Sequence, residues 1–174
     1  MDAGRVGKEL EMFDKFGEFD SVEELNEAAE GLLKEGDIDS LMILAQENGI
    51  EKEDVEDYID GCAMEFATIN MAAFGRLSVE EAEAKTKKGE EMIARVLFSV
   101  VRGMCLKESF CVAVLKNGKR VMEVYKIMRD EASKRKTGGV AVACGTDQEL
   151  RNIINAYYLQ GEEKAREIVK KLYG

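Results

Sequence analysis

The chain of 174 residues carries 45% hydrophobic and 34% charged side chains, enough apolar material for one ordinary domain or two small helical subdomains and too much for a disordered tail. It contains no His, Trp or Pro, and losing His removes the commonest general acid–base group and transition-metal ligand, which argues against an enzyme and against a metal or cofactor centre. Its net charge of −10 is unevenly spread: residues 1–61 hold 20 Asp and Glu against 5 Lys and Arg, whereas residues 62–174 hold 15 against 20, so an acidic face and a basic face are each expected to recruit a different kind of partner.

Ser21 followed by Glu24 has the spacing of a capping box, and Val22, Leu25, Ala28, Ala29, Leu32 and Leu33 then recur at helical period until Gly36. Asp37 can cap a second helix, with Ile38, Leu41, Leu44 and Ala45 on one side, that ends at Asn48 and Gly49; the two make a helical hairpin. From about Glu51 a third segment places Val55, Tyr58, Ile59, Cys62 and Phe66 on one stripe and Glu53, Asp57 and Asp60 on the other. Ser78 and Glu81 repeat the capping-box spacing and predict a long helix to Gly103, burying Ile93, Val96, Leu97, Val100, Val101 and Met104, with Gly89 as the point of interruption.

Between Phe110 and Tyr125 the pair Asn117–Gly118 is a strong hairpin signal, but Val121, Val124, Tyr125 and Met128 fall at helical spacing, which favours a helix after Gly118. Gly138 and Gly139 break the chain before Val140–Cys144, a loop or a lone strand. Thr146 and Glu149 open a helix carrying Leu150, Ile153, Ile154, Tyr157 and Tyr158, and Gly161 separates it from a last one carrying Ala165, Ile168, Val169 and Leu172. The expected fold is mainly α, a compact multi-helix domain of helical hairpins with a small β-hairpin left open over 110–126. An acidic helical subdomain over 1–75 and a basic one over 76–174 are expected.

No apolar run reaches the roughly 18 residues of a membrane span, and Met1 to Leu10 mixes charge with apolarity where a signal peptide has an apolar block, so a cytoplasmic protein is expected. Cys62, Cys105, Cys111 and Cys144 lack the two-residue spacing of metal or redox motifs and are read as reduced core residues.

Candidate chemical motifs fail on their details. Gly31 and Gly36 have phosphate-loop spacing, but Asp37 and Ile38 stand where Lys and Ser or Thr are required. Asp54, Asp57, Asp60 and Gly61 lack the alternating spacing and closing Glu of a calcium loop. Two charged features remain. The basic stretch Lys116, Lys119, Arg120, Lys126, Arg129, Lys134, Arg135 and Lys136 is the candidate for direct contact with nucleic acid, through Lys119, Arg120, Lys134, Arg135 and Lys136 above all. The carboxylates Glu23, Glu27, Glu30, Glu53, Asp57 and Asp60 are the candidate for contact with a protein whose own site is built for phosphates.

From Gly118 onward, GKRVMEVYKIMRDEASKRKTGG followed by TDQELRNIINAYYLQG resembles the pattern of PcfK-like proteins of conjugative and phage-like mobile elements, some of which act as anti-CRISPR proteins. FDSVEELNEAAEGLLKEGDIDSLMILAQENGIEKEDVEDYIDG is similar to the opening of acidic accessory proteins of such elements. The resemblance implies a mobile-element protein that binds an RNA-guided DNA nuclease and blocks its access to DNA without catalysis or cofactor. The alternative is a conjugation or phage accessory protein that binds nucleic acid through its basic segment.

Overall fold

The computed structural model describes residues 12–86, 89–134 and 145–172. α1 (Val22–Glu35) starts where the sequence places it: Ser21 is in extended backbone and its hydroxyl accepts the Glu24 N–H at 3.2 Å, using one of the donors that a helix start leaves over. The Glu24 carboxylate reaches one residue further back than in a capping box, to the Asp20 N–H at 2.9 Å. Gly36, in the left-handed region at φ 74°, ends α1, and Asp37 caps α2 (Ile38–Glu47) by accepting the Ser40 N–H at 3.0 Å. α3 (Lys52–Ile59) is shorter than the stripe predicts, because Gly61 at φ 74° turns the chain away after Asp60. Cys62 is therefore exposed instead of buried, and Phe66 enters the core from an irregular segment.

α4 (Ile69–Lys85) corrects the reading of Ser78 as a helix start. Thr68 is the cap, its hydroxyl accepting the Met71 N–H at 3.2 Å, while Ser78 lies mid-helix and bonds back to the Phe74 carbonyl at 2.9 Å. Gly89, at φ 90°, falls between α4 and α5 (Glu91–Met104), the interruption allowed for at that glycine. The hairpin left open over 110–126 does not form. Gly118, at φ 73°, instead turns the chain between α6 (Glu108–Leu115) and α7 (Val121–Ser133). The flanking residues decide this: Phe110, Cys111, Val114 and Leu115, then Val121, Val124, Ile127 and Met128, are all buried at helical spacing, which strand alternation would have split between two faces.

α8 (Asp147–Gln160) opens with the predicted capping box, Thr146 Oγ1 accepting the Glu149 N–H at 3.2 Å and Glu149 accepting the Thr146 N–H at 2.7 Å. α9 (Glu162–Leu172) follows Gly161. The nine helices are the only regular structure among the described residues; Val140–Cys144 lies outside them. None of these helices is long and apolar enough to cross a membrane. Leu41, Leu44, Val55 and Phe66 join Leu77, Phe98, Ile127, Ile154 and Val169 in one contiguous core. Cys105 and Cys111 are buried in it, as expected of reduced core thiols.

The boundary expected between residues 75 and 76 falls inside α4. There the backbone of Gly75 lies directly on the turn that ends α2: a Cβ added to Gly75 would sit 2.2 Å from the Asn48 carbonyl oxygen, and one added to Gly49 would sit 2.4 Å from that of Gly75.

Candidate functional site

The acidic residues singled out in the sequence form two rows. Glu23, Glu27 and Glu30 are spaced four and three apart on α1, away from the buried Val22, Leu25 and Ala29; Glu53, Asp57 and the capping residue Asp60 repeat this spacing on α3, away from Val55. All six are exposed. Glu30 pairs with Lys34 one turn on, and the other five make no ion pair among the described residues. The rows are close enough to share a field: burial raises the Tyr58 hydroxyl pKa, and the Glu30 carboxylate raises it further across from α1. Beside the α3 row lies a shallow hollow of about 260 Å³, where Asp54, Asp57 and Glu65 rim Phe66, Met71 and the wholly exposed Met64. Exposed unpaired carboxylates add little to folding.

The basic candidates are differently placed. Lys119 donates to the Tyr157 carbonyl at 2.7 Å and lies 4.5 Å above that ring. Arg120 grips Glu18 with both terminal nitrogens, at 2.7 and 2.8 Å. Lys134 is exposed and pairs with Glu131 at 2.6 Å. It lies past the far end of α7, about 20 Å along the axis from Arg120 at 1.5 Å per residue. Arg135 and Lys136 lie outside the described residues.

A third charged group was not read from the sequence. Arg76, 2% exposed, donates to Glu18 at 2.7 Å, to the Leu115 carbonyl at 2.9 Å and to the Phe19 carbonyl at 2.7 Å, while its Nε has no hydrogen-bond partner. Phe13 lies against both guanidinium groups, 5.0 Å from Arg76 and 5.4 Å from Arg120. Partial burial acts to raise the Glu18 pKa, but the Arg120 hydrogen bond and the charges of Arg76 and Arg120 outweigh it and hold the carboxyl below its usual range. Glu80, one turn along α4 from Arg76, accepts the Val121 N–H at 3.2 Å. One local signal existed: Arg76 and Glu80 interrupt the otherwise apolar face Ala72, Ala73, Leu77 and Ala84.

Burial pushes Glu80 up to about 7, with the Val121 N–H and both arginines pulling the other way. An unfolded glutamate ionises near 4.5, so between these values the unfolded chain sheds a proton that the folded chain keeps. The Glu80 contribution to stability is complete below pH 4.5, is lost as pH rises through 7, and stays lost above it. Relative to Glu80→Gln, the native chain is expected to lose on the order of 2 kcal/mol between pH 5 and 7.5 in urea unfolding. A difference that stays flat across this range contradicts a buried, titrating carboxyl.

No three His, Cys, Asp or Glu side chains gather as a metal site would need among the described residues. Comparison with known proteins finds no matching family model, no matching curated relative and no matching solved structure.

Proposed function

We propose that this chain is a mobile-element-encoded inhibitor of the anti-CRISPR type, which binds an RNA-guided DNA nuclease and blocks its access to DNA without catalysis. The observation that supports this reading most is the pair of exposed carboxylate rows, Glu23, Glu27 and Glu30 with Glu53, Asp57 and Asp60, five of whose six members make no ion pair among the described residues. Neighbouring carboxylates in such rows are about 4.5–6 Å apart along the helix axis, a regular negative charge suited to a channel that is itself positive because it holds nucleic acid. The choice of nuclease as target comes from the resemblance of the two sequence segments, and the electrostatic mechanism comes from the rows.

Reversing Glu27, Glu53, Asp57 and Asp60 together is expected to weaken binding to a guide-loaded nuclease by about 100-fold or more and to flatten its salt dependence, while circular dichroism keeps its helical signal. Unchanged affinity and salt dependence in that variant sinks the acidic-face mechanism. The competing reading, direct nucleic-acid binding by the basic segment, needs cationic side chains free to meet phosphates, and Lys119 and Arg120 are engaged internally. A gel shift at low salt separates the two, since only the competing reading expects a complex with DNA alone.

A further inference from the structure

Residues 12–20 form neither helix nor strand and run as a strap across the helical body. The Lys15 and Phe16 N–H groups donate to Glu47 of α2 at 2.6 and 3.1 Å. The strap's carboxylates then lie on the turn between α6 and α7: Asp20 accepts from Lys116 Nζ at 2.8 Å and from the Asn117 N–H at 3.0 Å, and Glu18 accepts from the Gly118 N–H at 3.2 Å as well as from Arg76 and Arg120.

Seen without the strap, the turn is a converging set of donors. It offers two successive backbone N–H groups beside a left-handed glycine, a lysine, an arginine fork and a buried guanidinium, three positive charges that face Glu80 at the arginines and Glu23 and Glu24 at Lys116. Such sets hold phosphoryl oxygens, through the backbone amides and through bidentate guanidinium contacts. The Arg76 guanidinium is buried, and its Nε has no hydrogen-bond partner. Two anions, two residues apart in the strap, are received on adjacent backbone amides, Asp20 on that of Asn117 and Glu18 on that of Gly118, an arrangement suited to a ligand with two linked anionic groups such as a diphosphate.

The geometry points to a diphosphate-binding site formed by Lys116, the Asn117 and Gly118 amides, Arg120 and Arg76, which the strap fills in cis with Glu18 and Asp20 and which a diphosphate group takes when the strap is displaced. Glu23 of the α1 row acts on Lys116 at the edge of this site, but the proposal does not depend on what the rows bind.

The test uses the full chain carrying Glu18→Gln and Asp20→Asn, with inorganic pyrophosphate as probe and sulfate at matched ionic strength as control. The variant is expected to melt below the native chain, to bind pyrophosphate saturably and at least tenfold more tightly than the native chain does, and to regain Tm on binding. Adding Arg120→Gln is expected to abolish the response. Adenosine diphosphate tests the source of the group: equal affinity makes the diphosphate the whole ligand, and tighter binding makes the nucleotide the ligand. Should the double variant not fold, Asp20→Asn alone, at a carboxylate 40% exposed, is expected to show an intermediate response. A folded variant without saturable binding, a response matched by sulfate, or one that survives Arg120→Gln overturns the proposal.

Discussion

Gly75→Ala is expected to destabilise the fold by about 3–5 kcal/mol, or to prevent it from forming, when unfolding is followed in urea. The added methyl group would meet the Asn48 carbonyl oxygen at 2.2 Å and that of Gly49 at 2.9 Å. Both are backbone atoms, and they have little freedom to retreat. Asn48 is buried, its N–H bonds to the Leu44 and Ala45 carbonyls, and its side chain donates to the Leu44 carbonyl at 2.9 Å. The clash can be relieved only by moving α4 away from the end of α2, which opens the core on both sides. Gly49→Ala is expected to be as damaging, since that residue also has φ 65°. Gly31→Ala serves as control: this glycine lies within α1 with open space where its Cβ would be, and alanine there is expected to stabilise by about 0.5–1 kcal/mol. A Gly75→Ala protein within about 1 kcal/mol of the native chain is incompatible with so close an approach.

Arg76→Ala is expected to cost about 3–5 kcal/mol, the usual result of removing one partner from a buried ion pair. The cost arises from what is left behind: Glu80 loses a nearby positive charge in a buried position, Glu18 loses one of its two guanidinium partners, and the Leu115 and Phe19 carbonyls lose a donor. The deficit should shrink as pH falls toward 5, because a protonated Glu80 no longer needs compensation. Arg76→Met with Glu80→Leu is expected to recover part of the loss, since it removes the buried carboxyl that the arginine's charge faces, while Glu18 and the Val121 N–H each still lack a partner. If the double variant is no more stable than Arg76→Ala, the arginine acts through its hydrogen bonds to the strap and the α6 carbonyl and not through charge.

The parts of this fold that were legible in the sequence are those whose physics is local. Ser21, Asp37 and Thr146 each cap the helix they were assigned, and Gly36 and Gly161 fall where helices end, because a cap needs only a side-chain oxygen within reach of the next turn. Ser78 shows the limit of that reasoning. It has the same spacing to a glutamate as Ser21, but the helix had already begun at Thr68, so no free N–H groups awaited it. At Asn117–Gly118 the letters specified a tight turn with positive φ, and the burial pattern on either side decided that helices flank it.

The acidic rows were legible for the same reason: their members repeat at helical period within one element. The charge cluster around Arg76 was not, because Glu18 and Arg120 are 102 residues apart and nothing near either one announces the other. Lys119 and Arg120 looked like free surface cations, although a ring and a carboxylate from distant parts of the chain already hold them.

The strap also carries a consequence for the order of assembly. Glu18 and Asp20 are made before their partners at 116–120, which follow roughly a hundred residues later, so at ordinary rates of translation the strap waits for on the order of 5–20 s before its docking turn exists. The short-range hairpin of α1 and α2 can form at once, whereas closing a loop of that length costs entropy that only a largely assembled body repays. Latching is thus expected late on the folding route. Substitutions at Glu18 or Asp20 should act chiefly by hastening unfolding and leave the rate of folding almost untouched.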